Sequence, residues 1–274
     1  MQFKALNARF PRKRAFITGA GSGLGLALAR ALAADGWALG LFDRDVERLA
    51  AVEGELSAAG VAVLAYPGDV TQPDELTVAV NSFASAHDGL DLMINNAGIA
   101  VAGSLMDVPD EDWRAAIDTN LMGVVHGARA AVPHLQRNGA GVLINIASAA
   151  AFGSAPGMIP YNATKAAVVS VSESLAGELR TSGTQVSVVM PMFFRSNLIE
   201  SFRGPAETQA SAAALVRRAR YTAEQAARDL LIAAGKGRMH IVLPGSARWL
   251  WRLKRWMPAT FVRRLMPYAA DRIS

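Results

Sequence analysis

The sequence predicts an α/β fold, one doubly wound domain whose mainly parallel sheet of seven strands is flanked by helices. Short apolar runs alternate along the 274 residues with helix-like stretches, the rhythm of β-α-β crossovers with both sheet faces covered. A glycine cluster, TGAGSGLG at 18–25, stands directly between the first apolar run and the first helical stretch. No repeat or long low-complexity linker breaks the pattern, and the length suits a single α/β domain.

Taken in order, Arg14 to Thr18 forms the first strand, and LALARALAADG the first helix, closed by Gly36. WALGLFD is the second strand, ending at Asp43, and a polar helix runs to about Ala59. VAVLAYPGDV is read as a third strand ending near Asp69. A helix from Pro73 to His87, with proline at its start, leads into the fourth strand, LDLMINNAG. One long helix is expected from about Pro109 to Arg137, then the strand GVLINIAS, a helix from Tyr161 to Arg180, the strand QVSVVMP and a last strand, MHIVLP, at Met239 to Pro244. The segment from Phe193 to Tyr221, with Gly204-Pro205 inside it, is either a cover over a cleft or a surface excursion. Residues 1–243 make the domain, and 244–274 a basic, aromatic C-terminal extension without a core of its own.

Composition removes several functions. There is no cysteine, hence no disulfide framework and no thiolate nucleophile. His87, His126, His134 and His240 are too scattered for a zinc motif, so no metal is expected. No apolar run suits a secretion signal or a spanning helix, which places the chain in the cytoplasm. The net charge of +5 resides in the tail, where seven Lys or Arg from Arg248 onward face the single acid Asp271. Basicity so localised argues against a nucleic-acid-binding domain.

Glycines 19, 23 and 25 permit a tight turn and close approach of the backbone to a pyrophosphate, while the helix that follows aims its N-terminal amides at negative charge. Strand, turn and helix in this order, with Asp43 closing the second strand, indicate a Rossmann-type dinucleotide site. Asp43 can accept from both ribose hydroxyls and opposes a 2′-phosphate, which favours NAD(H). Arg44 beside it could pair with that phosphate and keeps NADP(H) as the alternative. Asp69 could accept from the adenine amino group or brace the turn before Thr71.

Tyr161 and Lys165 lie four apart in YNATKAAVVSVSESL, on one helix face. A lysine charge there favours the phenolate, and a phenol/phenolate couple can take a proton from an alcohol or give one to a carbonyl. Ser148, at the end of GVLINIAS, could hold the substrate oxygen beside Tyr161. Asn120 is a polar residue inside an apolar helix, where it disturbs the hydrogen-bond ladder or bonds a neighbouring helix. In NNAG, the amides of Asn95 and Asn96 brace the sheet, and Gly98 lets the chain pass close to the cofactor.

TGAGSGLG, GDV, NNAG, Asn120, Ser148 and YNATK together resemble the classical short-chain dehydrogenase/reductase family, from about Arg12 to Val242. The resemblance implies Tyr161 as catalytic acid/base, Ser148 as orienter of the substrate oxygen, Lys165 as ribose contact and pKa modulator, and Asn120 as a relay through water. It implies cofactor contacts from Thr18, Gly19, Ser22, Gly23, Leu24, Gly25, Asp43, Arg44, Asp69, Val70, Asn96, Ala97, Gly98, Tyr161, Lys165 and Pro191. It also implies hydride transfer without a metal, and a homodimer or homotetramer. Where the family commonly has Pro-Gly and then a threonine, this chain has Pro191-Met192 and Ser196, which reshapes the pocket while Ser196 supplies the hydroxyl.

Ala149, Phe152, Met158, Ile159, Met192 and Phe193, with Phe202 on the cover, suit a lipophilic alcohol or carbonyl. Arg195 would attract a carboxylate or simply face solvent. In the tail, Trp249, Leu250, Leu253, Trp256 and Met257 are expected on one helix face and Arg248, Arg252 and Arg255 on another. Such a helix suits peripheral contact with the cytoplasmic membrane face, a subunit contact or a lid. A non-catalytic NAD(P)-sensing or scaffold protein on the same fold is the alternative function.

Overall fold

The computed structural model describes residues 3–137, 139–195 and 198–265, with the backbone alone at 198, 199, 211, 215, 264 and 265. Seven parallel strands form the central sheet: β1 (Arg14–Thr18), β2 (Ala38–Asp43), β3 (Val63–Pro67), β4 (Leu92–Asn95), β6 (Gly141–Ile146), β7 (Thr184–Pro191) and β9 (His240–Leu243). Their order is β3-β2-β1-β4-β6-β7-β9. The chain winds outward one way from β1 and the other way from β4, so a crevice opens beyond the carboxyl ends of these two strands. Burial on both faces explains why β1, β4 and β6 are buried along their whole length. At the opposite end, Arg14 Nε and Nη2 reach the two oxygens of Asp91 at 3.0 and 2.7 Å, a buried bidentate pair that ties β1 to β4.

Helices α2 (Gly23–Ala33), α3 (Val46–Ala58) and α10 (Ala223–Gly235) cover one face, and α4 (Pro73–Ala86), α6 (Gly123–Arg137) and α8 (Ile159–Glu178) the other. A short helix absent from the sequence expectation, α1 (Lys4–Arg9), precedes β1. It buries Phe3, Leu6 and Phe10 against the first layer, and its Asn7 bridges Asp35 and the Trp37 indole.

Three expected boundaries shift. The third strand stops at Pro67, because Gly68 donates back to the Asp43 carbonyl and Asp69 turns the chain through Thr71 N (2.9 Å). The helix expected over 109–137 is two, α5 (Asp110–Ile117) and α6, joined by a π-helical turn at Asp118–Met122 that holds Asn120. The helix with Tyr161 begins at Ile159 and ends at Glu178.

Between β7 and α10, the segment expected as a cover or excursion contains a 3-10 turn (Leu198–Ser201), the two-residue strand β8 (Phe202–Arg203) and α9 (Ala206–Arg218). β8 pairs with β5 (Ala100–Val101), which follows β4. This pairing fastens the segment beside the crevice.

After β9, α11 (Arg248–Trp256) packs Leu250 and Trp251 toward a cluster that includes Phe152, on the short α7 (Ala150–Gly153), Val188 and Met190. Trp249 and Trp256 instead lie exposed on the side of Arg252. The single apolar face expected for this helix is therefore split in two, because only one side meets the domain. Among the described residues, no helix is long and apolar enough to cross a membrane.

Candidate active site

The turn after β1 is built to bring backbone close to a ligand. Gly19 has φ +66°, and a Cβ on Gly25 would lie 1.9 Å from the Gly19 carbonyl oxygen, so any side chain at 25 would force α2 away from the turn. Ser22 caps α2 without a side-chain hydrogen bond, which leaves the helix amides directed at the crevice. Asn96 Nδ2 donates to the carbonyls of Thr18 and Gly19, both at 3.0 Å, and Thr18 Oγ1 accepts from Asn96 N and Ala97 N. Thr18 and Gly25 thus hold the cradle from beneath.

The crevice has a volume of about 330 Å³. Of the residues expected at a cofactor, Gly19, Ser22, Gly23, Leu24, Asp43, Arg44, Asp69, Val70, Asn96, Ala97, Gly98, Tyr161, Lys165 and Pro191 line it. Ser196 lies outside the described residues. Asp43 is held by amides on both oxygens, Gly21 N to Oδ2 at 2.8 Å and Asp45 N to Oδ1 at 3.0 Å. A carboxylate fixed in this way, beside a glycine cradle and an uncapped helix end, fits a dinucleotide. Sequence reasoning missed Arg48, Thr119, Phe194, Glu200 and Ser201, which also line the crevice.

Arg48 and Glu200 make a contact across the opening. Arg48 Nη1 reaches Glu200 Oε2 at 2.5 Å, and its Nε reaches Asp45 Oδ2 at 3.0 Å. The pair ties α3, on the Asp43 side, to the cover after β7. Both side chains are half exposed, so its worth is modest and salt-sensitive. Glu200→Gln is expected to weaken cofactor binding by about two- to fivefold at low salt. The difference should shrink in high salt when binding is titrated by nicotinamide fluorescence.

At the other end of the crevice the chemistry-bearing side chains converge. Tyr161 and Lys165 are both buried on α8, with Nζ 5.8 Å from the phenol ring centre. Burial raises the Tyr161 pKa, opposed by a hydrogen bond from the Ser148 hydroxyl. Burial also lowers Lys165, to about 8. Lys165 Nζ spends one of its three protons on the Ile146 carbonyl (3.0 Å) at the end of β6. Ser148 stands two residues beyond that strand and accepts from Ala150 N at 3.1 Å, which fixes its hydroxyl.

Asn120 is completely buried in the π-helical turn. Its Oδ1 accepts from Ile99 N (2.8 Å), and its Nδ2 donates to Ile99 O (3.0 Å) and Thr164 Oγ1 (3.3 Å). The side chain therefore joins β4's exit loop to α8. Gly98 makes this junction fit, since a Cβ there would meet Asn120 Oδ1 at 3.0 Å and Lys165 Nζ at 3.3 Å. Asn95 braces the sheet by donating to Asn145, which donates to Ser172 on α8.

The six residues expected around a substrate do not line the crevice itself. Ala149, Phe152 and Met192 belong to the apolar cluster that receives Leu250 and Trp251, with Phe152 itself buried. Met158 bridges Gly103, while Ile159 and Phe193 are partly exposed. Arg195 Nε donates to the Ala219 carbonyl at 3.1 Å and is otherwise exposed, the solvent-facing placement. Phe202 lies in β8 of the cover. No group of three or more His, Asp or Glu able to hold a metal occurs among the described residues.

This geometry has close parallels. A short-chain structure from Burkholderia phymatum, solved with NAD, superposes with a TM-score of 0.85 at 30% identity, over 89% of this chain and 93% of that one. An alcohol dehydrogenase from Thermococcus sibiricus, solved with 5-hydroxy-NADP, gives a TM-score of 0.72 at 26% identity, over 84% and 95%. The 3-oxoacyl-[acyl-carrier-protein] reductase FabG of Staphylococcus aureus is 34% identical over 190 residues, 69% of this chain and 77% of the relative. The short chain dehydrogenase family model matches residues 13–206. The chain belongs to the short-chain dehydrogenase/reductase family, as an NAD(P)-dependent oxidoreductase.

Proposed function

We propose that this protein interconverts a lipophilic secondary or primary alcohol and its ketone or aldehyde, with NAD(H) as the preferred cofactor. The observation that carries the chemistry is the convergence of Ser148 with the buried Tyr161 and Lys165 at the end of a crevice whose other end suits a dinucleotide. The nicotinamide cofactor, when bound, supplies or accepts the hydride. Tyr161 acts as acid/base, giving its proton to a carbonyl oxygen during reduction and taking one from an alcohol during oxidation. The Ser148 hydroxyl, already bonded to Tyr161, orients that oxygen and shares its developing charge. Lys165 keeps two protons for the nicotinamide ribose, and its charge favours the phenolate. Asn120 spends both amide protons on Ile99 O and Thr164 Oγ1, so it would serve a water relay from Lys165 through an oxygen acceptor.

The preference for NAD(H) rests on Asp43, fixed with its charge toward the crevice, and on Arg48, whose guanidinium is engaged by Asp45 and Glu200. Arg44, exposed at the rim, is the residue through which NADP(H) would bind. The apolar surroundings of Ala149, Phe152 and Met192 support a lipophilic substrate, and 3-oxoacyl chains, named for one relative, fall within that class. The setting we propose is the cytoplasm, as a homodimer or homotetramer, with the tail at the cytoplasmic membrane face and no part for nucleic acid.

A panel of alcohols and carbonyls of increasing chain length tests the substrate class. KM is expected to fall as the alkyl or ring substituent grows, by up to about fourfold per buried methylene. Flat or rising values would reject a lipophilic substrate. Tight cofactor binding with no turnover across the panel would return weight to the sensing alternative.

A further inference from the structure

Helix α11 carries more exposed aromatic surface than a helix at the end of a domain needs. Trp249 is 58% exposed, Trp256 81% and the following Met257 48%. Trp249, Arg252 and Trp256 follow at i, i+3 and i+7, so they share one face. Between 248 and 265 there are six Lys or Arg and no acid. The opposite side of the helix is anchored, because Leu250 and Trp251 pack toward the cluster of Ala149, Phe152 and Met192. Arg255 stacks on the Trp251 ring (5.1 Å) within the helix, and Lys254 on Phe261 (5.4 Å) of the turn that follows it.

We infer that this face seats the protein on the surface of an anionic phospholipid bilayer. Tryptophan rings prefer the headgroup layer, where one edge is apolar and the other wet, and guanidinium groups beside them pair with lipid phosphates. The exposed Met257 and Val262 suit acyl chains and have no use in contact with a nucleic-acid backbone. A second copy of the chain is disfavoured as the occupant, since a two-fold contact through this face would set Arg252 and Arg255 against their own images with no acid on α11 to pair them. The helix is far too short to span, so the seat is peripheral.

Seated in this way, the protein has the apolar cluster beside the proposed substrate site directly behind the membrane-facing helix. Lipophilic alcohol or carbonyl dissolved in the bilayer then lies near the cleft. That supply of substrate rests on the oxidoreductase function proposed above, whereas the seat itself does not.

Flotation of the full chain with vesicles of phosphatidylcholine, alone or mixed with phosphatidylglycerol, tests the seat without any turnover assay. Each Lys or Arg near an anionic surface strengthens binding about fivefold. Binding to the mixed vesicles is therefore expected to exceed that to neutral ones by more than about tenfold, to fall with added salt, and to shift tryptophan emission to the blue. Trp249→Ser with Trp256→Ser, and separately Arg252→Glu with Arg255→Glu, should each lower it at least about tenfold. Unchanged melting temperatures and cofactor fluorescence would show that these variants are folded. Equal binding to both vesicle types, or tryptophan variants that float like the parent, would overturn the inference. Displacement by millimolar inorganic phosphate would also overturn it, since a phosphate site would then replace the surface. So would displacement by duplex DNA with the tryptophan variants binding that DNA unchanged, because a purely basic tail would suffice.

Discussion

Tyr161→Phe is expected to lower turnover by about two to four orders of magnitude, the worth of a positioned general acid/base. The change removes one buried oxygen and keeps the ring, so the packing of α8 is retained. Ser148 keeps its bond from Ala150 N, and the glycine cradle, Asp43 and Lys165 are untouched. Cofactor affinity should therefore stay within about twofold while kcat and kcat/KM fall together, the pattern of an interaction made in the transition state. Absorbance of the reduced cofactor gives the rates, and fluorescence titration gives the affinity. Turnover equal to the parent's would remove Tyr161 from the chemistry.

Lys165→Met is expected to have three effects that a merely structural lysine would not combine. Turnover falls, because the charge that favours the Tyr161 phenolate is gone. The pH profile changes with it. Lys165 is brought down to about 8 by burial, so the first proton lost from the lysine–tyrosine pair leaves near that pH. Alcohol oxidation needs the phenolate form of that state, so its rate rises through about pH 8. Carbonyl reduction needs both protons and declines through the same range. In the variant both limbs move upward, since burial, opposed by the Ser148 hydrogen bond, then sets Tyr161.

The third effect is on stability. A lysine whose pKa is lowered on folding, here from 10.5 to about 8, is protonated in both states below pH 8, where its burial costs the folded state. That cost is relieved as pH rises from about 8 to 10.5. Lys165→Met should therefore be more stable than the parent at pH 7 by about 1–3 kcal/mol, once the lost bond to the Ile146 carbonyl is counted. A rise in melting temperature of a few degrees, at about 2–4 °C per kcal/mol, should shrink in alkaline buffer. A functional site that weakens the fold in this way is expected where a charge must sit in a dry place.

The seven strands were legible because each buried run has the length and composition of a parallel strand, and the glycine turn, Asp43, Ser148, Tyr161 and Lys165 could be placed from spacing along single elements. What could not be read depends on contacts distant in sequence. The π-helical turn at Asn120 is held by Ile99, and nothing in DTNLMG shows that partner. Helix α1 is six residues long, too short for a periodic signal, and it exists because Phe3, Leu6 and Phe10 bury against residues after α2. Glu200 enters the site only because the cover folds across to Arg48, 152 residues earlier. The tail helix was misread as one apolar face because amphipathic spacing does not say which side meets the domain.

Deuterium transfer from 4,4-dideuterated reduced nicotinamide cofactor to a lipophilic ketone, followed by mass spectrometry of the product alcohol, tests the proposed chemistry most directly. With the parent protein, one deuterium is expected on the carbinol carbon for each cofactor oxidised, and Tyr161→Phe should form about a hundredth or less of that product at the same exposure. Cofactor that binds yet transfers no deuterium to any member of the ketone and aldehyde panel would contradict the proposed oxidoreductase chemistry.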